Sequence, residues 1–511
     1  MRPQHATTQC ATQPVAKPDP CRMEPDAPGR PARADRIPAT CKLSSRTALA
    51  ITVMAVLGGC VPAPRHALLA MRLRAPHVRA ARAHAVSASW PKTRWWRSFQ
   101  DASLDRLIAM GLRASGTLKA ALAHARAAQA TIGEAGGALG PSLAADGTVD
   151  RQRASATGLI PPPFAGQTVD YGSLGIEGHY DVSWWDSRHA KLRAAIGRAR
   201  AMWARSAETR LLVSTGIART YFALGEAREE LLLARDAARV RTRLAALTAA
   251  RYRAGIVSAM RYEAAEEARA TAWRQRAAAR LAVTRLRLAL AALVGRGPRY
   301  STRLPVPRVV PVRRFTAPAH LPLELLARRP DLRARYWEVQ AAAAGIDVAQ
   351  AGYYPNISLT GSLAFQSISL ATLFDPANIT ADIGPAIRLP LFDAGARRAH
   401  LSAARARYDA AVARYNQTIL DASAQVARAL AAIRLAYHEE QFAQRACRHA
   451  RLGYRLAMAR FRAGVYGPLP AHASRLGVLQ AERDLAQART RVLLADLALI
   501  QALGGGYHDH T

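Results

Sequence analysis

Two stretches of the chain are similar to each other, and this similarity determines how the fold is organised. The first runs from Tyr252-Arg-Ala-Gly255 to Ala-Leu-Val-Gly295, and the second runs from Phe461-Arg-Ala-Gly464 to Ala-Leu-Gly504. The two stretches align without a gap at one constant spacing, here called the repeat offset, which places Gly464 opposite Gly255 and Gly504 opposite Gly295. A tandem duplication of an element this long indicates two structurally equivalent halves.

Composition favours long helices over a compact aromatic core. The 511 residues are 50% hydrophobic but only 6% aromatic, and the net charge is +36. Such a charge fits binding to nucleic acid or to an anionic surface, and it also fits arginines spread over solvated helix faces. Because arginine is dispersed along the chain without dense runs, the second interpretation is favoured, and we expect no nucleic-acid partner.

Proline positions define two long helical tracts. No proline lies between Pro163 and Pro298, and none lies between Pro390 and Pro468. A proline inside a helix would remove a hydrogen bond and clash with the preceding turn. Residues 187–254 would extend roughly 100 Å if fully helical, which is rare in a soluble globular domain.

Alternating polar and apolar segments precede both tracts. Residues 143–153 are predicted to pair with 171–185 in the first half, and 357–365 with 383–389 in the second. Runs of about 9 to 11 residues suit tilted transmembrane strands, although an ordinary soluble hairpin has the same alternation. Four strands cannot close a barrel and open strand edges cannot sit in lipid, so transmembrane strands would require several chains to share one barrel.

The N-terminal region contains an export signal. Lys42 and Arg46 precede the apolar run 48–56, which is too short to span a membrane and ends in Leu57-Gly-Gly-Cys60. This ending resembles a bacterial lipobox, in which Cys60 is acylated and becomes the first residue of the mature chain. The alternative is a plain secretory signal that happens to contain a cysteine. The residue after the cysteine is Val61 rather than aspartate, which implies sorting to the outer membrane.

No motif indicates an enzyme. The sequence has no Cys-x-x-Cys, no His-Glu-x-x-His and no Gly-x-x-x-x-Gly-Lys loop, and its histidines are scattered. We therefore expect no catalytic residue, no metal site and no cofactor apart from the covalent lipid on Cys60.

Five motifs follow one another along the chain: Trp95-Trp-Arg-Ser-Phe99-Gln-Asp101, Arg329-Pro330-Asp331-Leu, Tyr353-Tyr-Pro355-Asn-Ile357, Leu389-Pro390-Leu-Phe392-Asp393-Ala-Gly395 and Ala502-Leu-Gly504-Gly-Gly506. In this order they are similar to the motifs of one known family, the TolC-like outer-membrane efflux factors, in the lipoprotein (OprM/NodT-like) branch. The resemblance covers roughly residues 90–507. One departure is Ser183-Trp-Trp-Asp186, which lacks the family's acid at 183 and its glycine at 186.

The resemblance implies a mixed α and β membrane protein, with a long α-helical periplasmic barrel and a 12-stranded transmembrane β-barrel shared by three chains. Each chain supplies four strands from two structural repeats. The expected segments are 1–59, an N-terminal extension with the lipoprotein signal; 60–94, the lipidated segment; 95–300, the first repeat with a hairpin at about 143–185; 301–322, the connection; and 323–507, the second repeat with a hairpin at about 357–392.

The implied function is that of a passive exit duct in a tripartite efflux system of the bacterial outer membrane. The implied partners are two further copies of the chain, outer-membrane lipid, a periplasmic adaptor and an inner-membrane pump. Two alternatives stay open, a lipid-anchored periplasmic coiled-coil scaffold without a pore and an arginine-rich helical rod that binds nucleic acid or a surface.

Residues in the shared motifs have simple structural interpretations. Pro355 and Pro390 lie where a helix and a strand must be separated, and Gly395 frees the backbone for the turn back to helix. Arg329 and Asp331 flank Pro330 at the start of a helix, where an acid satisfies free amides. Asp393 belongs to the same strand-exit motif as Gly395.

The two repeated stretches open at predicted helix-turn-helix tips, residues 253–258 and 462–467. In the family, small residues at such tips contact the adaptor and close the periplasmic aperture. The residues implied in this contact are Arg253, Gly255, Ser258, Arg462, Gly464 and Gly467. The alternative is that the glycines only end helices in the left-handed conformation.

The second tip lies in a stretch without acids. Residues 442–481 contain seven arginines and no aspartate or glutamate. We therefore expect an electropositive aperture, with Arg451, Arg455 and Arg460 as candidates, that favours anionic substrates such as aromatic acids. The alternative is that these arginines face outward and are solvated.

Overall fold

The computed structural model describes residues 68–71, 90–158, 161–182, 184–305, 307 and 328–508. The predicted signal and lipid site at Cys60 lie outside these ranges. So do Ser183 and most of the predicted connection 301–322.

Within these ranges, long helices dominate the structure. None of these helices is long and apolar enough to cross a membrane. The seven helices are α1 (Ala102–Ala114), α2 (Gly116–Gly137), α3 (Ser187–Arg253), α4 (Ala259–Leu293), α5 (Pro330–Ala351), α6 (Ala396–Arg462) and α7 (Pro468–Ala502).

The duplication read from the sequence extends through both halves of the structure. Helices α3 and α6 are both 67 residues long, and their starts at Ser187 and Ala396 are separated by the repeat offset. Helices α4 and α7 are both 35 residues long, and their starts at Ala259 and Pro468 have the same separation. Helices α2 and α5 are both 22 residues long. The predicted equivalence of the halves therefore applies to whole helices and not only to the two similar stretches.

Four strands form one antiparallel sheet in the order β1-β2-β3-β4. Pairing of β2 with β3, from Gly172 opposite Ser367 to Val182 opposite Ile357, joins the two halves. Both β1 and β4 pair on one side only, within the described residues, and β4 contains Pro385, whose missing N–H suits an edge strand. The strands are β1 (Ser142–Arg153), β2 (Thr168–Val182), β3 (Asn356–Ser367) and β4 (Ile379–Arg388).

The helices pack in a matching lateral order. Next to the strands, α2 packs on α3, α3 on α5 and α5 on α6. Beyond them, α4 packs on α3, α3 on α7 and α7 on α6. Helices α2 and α4 therefore lie on the side of β1, and α6 lies on the side of β4. The packing of α3 against α5 and α7 joins the two repeats.

Each of the two longest helices starts from a residue in the left-handed conformation. The φ angle is 88° at Gly395 and 59° at Asp186, its equivalent in the first half. Glycine adopts this region without steric cost, and aspartate is among the residues that tolerate it. The Asp186 carboxylate also accepts a hydrogen bond from Arg193 at 2.7 Å. The departure from the family's glycine thus leaves the turn geometry intact.

The first shared motif forms the core between α1 and α3. Trp95 and Phe99 are buried, and the Phe99 ring lies 5.2 Å from that of Phe222. Asp101 caps α1 by accepting the amides of Ser103 and Leu104, and its second oxygen accepts the Tyr221 hydroxyl at 2.7 Å. This motif therefore fastens the start of the first repeat to its long helix.

Candidate functional site

The two helix-turn-helix tips have the same backbone structure. Gly255 has a φ of 71° and donates its N–H to Tyr252 at 2.9 Å, and Ile256 donates to Arg251 at 2.9 Å. These bonds form a Schellman motif, in which a left-handed glycine closes the last helical turn. Arg253 ends α3 and Ser258 precedes α4, where its side chain makes no capping hydrogen bond.

The second tip repeats this geometry with different residues. Gly464 has a φ of 75° and donates to Phe461 at 3.0 Å, and Val465 donates to Arg460 at 3.0 Å. Arg462 ends α6, and Gly467 stands before Pro468 at the first position of α7. Proline suits this position because its missing N–H would have no helical partner.

Exposed apolar side chains surround both tips. Ile256 is 62% exposed and Val465, its equivalent in the second half, is 69% exposed. Met260 is 78% exposed. Apolar groups grouped at the end of a long helical hairpin are typical of a docking surface for another protein. The sequence analysis singled out the small and basic residues here and missed these apolar ones, although their positions beside the glycines are visible in the sequence.

The arginines of the acid-free stretch do not all carry unbalanced charge. Arg451 bonds Glu482 through Nε at 3.0 Å and Nη2 at 2.9 Å. Glu482 lies just beyond the acid-free stretch, and the antiparallel hairpin of α6 and α7 brings it back to Arg451. This pairing raises the pKa of Arg451. Arg451 is therefore a weaker candidate for free positive charge than the sequence analysis proposed.

The other five arginines of this stretch on α6 are exposed, whereas Arg475 on α7 is partly buried and lies 3.8 Å from Glu482. Arg460 lies over the ring of Tyr466 at 5.6 Å. Arg455 has no carboxylate partner within the described part of the chain. A groove of about 760 Å³ is lined by Arg445, Arg448, His449, Arg451, Leu452, Tyr454, Arg455 and Arg475. The lining of this groove includes five arginines and no carboxylate.

Arg329 forms a buried junction among three helices. Its guanidinium bonds the Asp331 carboxylate through Nε at 3.1 Å and Nη2 at 2.6 Å. It also donates to the Ala502 carbonyl at 2.8 Å and to Gln425 at 2.9 Å. The Asp331 carboxylate accepts the amide of Leu332 at 2.9 Å. These bonds hold the start of α5 against the end of α7 and the middle of α6.

The remaining motif residues lie at the junctions of helix and strand. Pro355 directly precedes β3, and Pro390 follows the end of β4 at Arg388. The Asp393 carboxylate accepts the amide of Gly395 at 3.1 Å and the amide of Arg397 at 2.9 Å. Asp393 therefore satisfies free amides at the start of α6.

Comparison with known proteins identifies the family. A family model described as outer membrane efflux protein matches residues 107–296 and 321–505. The chain belongs to the outer membrane efflux protein family. The multidrug resistance outer membrane protein MdtP of Escherichia coli strain K12 is 30% identical over 440 residues, which are 83% of this chain and 88% of MdtP. MdtQ of Escherichia coli O157:H7 is 28% identical over 468 residues, 89% of this chain and 97% of MdtQ.

Solved structures of outer-membrane proteins have the same fold. The outer membrane protein VceC from Vibrio cholerae is 31% identical with a TM-score of 0.74, over 82% of this chain and all of VceC. The Campylobacter jejuni CmeC outer membrane channel is 21% identical with a TM-score of 0.79, over 88% of this chain and 94% of CmeC. The predicted family, mixed α and β fold and outer-membrane location of this efflux protein are thus confirmed.

Asp496 is a buried acid that the sequence analysis did not single out. It is 2% exposed in the apolar part of α7, and its Oδ1 has no hydrogen-bond partner within the described residues. Burial raises the pKa of Asp496 to about 7. A single acid among leucines and alanines is the signal that reveals it in the sequence.

We predict that Asp496 makes the free energy of unfolding depend on pH. Because the folded chain holds this proton between about pH 4 and 7 while the unfolded chain loses it, stability falls as pH rises through this window. In urea unfolding in detergent, the wild type's free energy of unfolding should decrease by an amount on the order of 4 kcal/mol across this pH window. The variant Asp496→Asn should lack this decrease. The exposed acid of the same helix, changed in Asp484→Asn, serves as the control. Parallel pH profiles for wild type and Asp496→Asn would contradict the prediction.

Proposed function

We propose that three copies of this efflux protein assemble into a passive exit duct through the outer membrane. The observation that carries the proposal is that the two edge strands, β1 and β4, of an outer-membrane protein's four-stranded sheet pair on one side only within the described residues. Unpaired backbone groups cost several kcal/mol each in lipid, roughly the energy of a lost hydrogen bond in an apolar medium. Pairing β4 of one copy with β1 of the next satisfies both edges and gives a closed 12-stranded barrel.

The helices support the same arrangement. The copy that covers β4 also faces α6, and the copy that covers β1 also faces α2 and α4, because helices and strands have the same lateral order. A ring of copies therefore continues the barrel into the periplasm as a helical wall. This chain performs no catalytic step in the proposal, and an inner-membrane pump supplies the energy.

Aromatic side chains mark the proposed level of the membrane surface. Trp184 is 72% exposed and Phe392 is 88% exposed, and both lie between a strand and a long helix. The rings of Trp185 and Tyr354, at the same junction, are stacked at 4.6 Å. Tryptophan and tyrosine favour the lipid headgroup region because their rings are apolar and their polar atoms remain hydrated. Outer-membrane lipid is the proposed contact here.

The proposal includes a lipid on Cys60. Residues 68–71 lie along α6, where Leu69 donates its amide to Asp409 at 2.9 Å and Asn416 donates to Ala70 at 3.1 Å. Asp409 is in the fourth turn of α6, roughly 20 Å from the start of the helix. The segment from Cys60 to Leu68 spans up to about 28 Å when extended. This length is sufficient for an acylated Cys60 to insert into the membrane.

The tips are the proposed contact for a periplasmic adaptor. Left-handed Gly255 and Gly464 keep the turns tight, so that Ile256 and Val465 project without covering side chains. The residues Arg253, Ser258, Arg462 and Gly467 complete these surfaces. The names of MdtP and MdtQ refer to multidrug resistance, and this supports drugs as the exported class. The exposed arginine groove supports a preference for anionic molecules.

We predict a stable pore with anion selectivity. Purified protein in planar bilayers under a salt gradient should give discrete currents and a reversal potential of the sign for anions. Because Arg448 and Arg455 lie in the exposed groove, changing both to glutamate should shift the reversal potential towards cations. The exposed Arg219→Glu, roughly 50 Å along α3 from its tip, is the control. The absence of both a detergent-stable trimer and a current would favour the coiled-coil scaffold. Cation selectivity of the wild type would refute the electropositive aperture.

We predict that Cys60→Ala removes a lipid but leaves the duct intact. Intact-mass spectrometry of the mature wild type should show an acylated N-terminal cysteine, and the variant should lack the corresponding mass. The trimer should persist, because the strand and helix edges that hold it are unchanged. An unmodified Cys60 within a longer mature chain would support the plain secretory signal.

We predict that a photo-reactive residue at Ile256 or Val465 forms an adduct with a periplasmic adaptor in the native host. The matched control is Leu232, which is 42% exposed on α3 but roughly 32 Å from its end. Mass spectrometry of the adducts identifies the partner. Adducts from Leu232 alone, or none from the tips, would contradict the proposed docking surface.

A further inference from the structure

The duplication makes the contact between the two halves a template for contacts between copies. Inside one chain, α3 of the first repeat packs on α7 of the second. In the proposed ring, the next equivalent contact is between α6 of one copy and α4 of its neighbour. Helix α6 is the equivalent of α3 one repeat offset later in the chain, and α4 is the equivalent of α7 one repeat offset earlier. This inference rests on the proposed ring and names the residues that hold it together.

Two side-chain contacts set the register of the internal interface. The Glu226 carboxylate interacts with the Thr490 hydroxyl, which itself donates to the Ala486 carbonyl at 3.2 Å. One turn further along α3, Glu230 pairs with Arg483, with 2.7 Å between Oε2 and Nε. Each contact joins an α3 residue to an α7 residue, and the two contacts advance in opposite directions along the helices, as antiparallel packing requires.

Shifting these contacts by the repeat offset gives the pairs between copies. The residue equivalent to Glu226 is Leu435, and the residue equivalent to Thr490 is Leu281. The polar pair of the internal interface therefore corresponds to two leucines between copies. The residue equivalent to Glu230 is Glu439, and the residue equivalent to Arg483 is Arg274. The second pair therefore keeps its opposite charges.

The exposure of these residues supports the shift. Thr490 is fully buried and Glu226 is half-buried, whereas Leu435 is 60% exposed and Leu281 is 48% exposed in the isolated chain. Glu439 bonds Arg491 of its own chain at 2.6 Å and keeps about a third of its side chain exposed. A neighbouring Arg274 would therefore meet a partly accessible carboxylate.

Heptad stripes extend the pattern along both helices. One stripe on α6 comprises Leu435, Phe442, His449 and Leu456, all exposed. One stripe on α4 comprises Met260, Glu267, Arg274, Leu281 and Leu288, all exposed. Their equivalents inside the chain are at least partly covered: Glu226, Leu233, Val240 and Leu247 on α3, and Leu469, Leu476, Arg483, Thr490 and Leu497 on α7.

We propose that the α6 stripe of one copy packs against the α4 stripe of the next copy, with Leu435 opposite Leu281 and Glu439 opposite Arg274. Exposed apolar residues repeated at heptad spacing form a seam that a second helix covers. Since the seam joins unlike helices, it is heterologous and generates a ring when the rotation closes.

The test is disulfide trapping with a matched register control. The variant Leu435→Cys/Leu281→Cys places two cysteines at the predicted contact. The control Leu435→Cys/Leu288→Cys uses a leucine of the same stripe one heptad away, roughly 10 Å along the helix and beyond disulfide reach. Both single variants control for the buried Cys447.

Mild oxidation of the purified full chain should convert the monomer band of the matched pair into cross-linked dimer and trimer. The register control and the single variants should remain monomeric in denaturing gels. Two results by native mass spectrometry would each overturn the inference: a trimer that does not cross-link at the matched pair, and a trimer that cross-links equally in the control. Neither result affects the proposed duct. Protein that forms neither trimer nor pore overturns the duct, and the inference with it.

Discussion

The backbone hydrogen bonds left open at β1 and β4 constrain the rest of this structure. A sheet of four strands has two edges, and an outer-membrane protein has no water in the hydrocarbon layer to satisfy them. Within the described residues, no strand pairs with the outer side of β1 or β4, and no other helix packs on the outer sides of α4 and α6. In the proposed ring, the requirement that the edges meet therefore fixes the direction in which copies associate and which helices face each other.

The duplication is maintained in geometry more strictly than in sequence. Helices α3 and α6 have equal lengths, and each starts at a left-handed residue, yet one start is Gly395 and the other is Asp186. The aspartate adopts the required φ and uses its carboxylate to bond Arg193. The fold thus fixes the backbone conformation at this junction, while the side chain varies as long as it tolerates that conformation.

The sequence predicted the elements that depend on local signals. Prolines bounded the long helices, alternation located the strands near their observed positions, and the repeated aromatic-Arg-Ala-Gly motif marked both tips. Contacts between distant segments were harder to predict. The pairing of Arg451 with Glu482 depends on the register of an antiparallel hairpin, and the burial of Asp496 depends on which side of α7 faces the core. Neither register nor facing is determined by composition, so the charge of the acid-free stretch was overestimated.

The internal interface and the proposed interface between copies have different energetic requirements, and their residues reflect this. Glu226 and Thr490 belong to one chain, which holds the two halves at high effective concentration and allows a polar contact to suffice. Leu435 and Leu281 would have to hold separate chains together, and each buried leucine contributes roughly 1.5–3 kcal/mol. A polar pair at this position would lose solvation and gain little, because association also costs rotational and translational freedom. The replacement of a polar pair by two leucines is therefore the change expected when an internal interface is reused between copies.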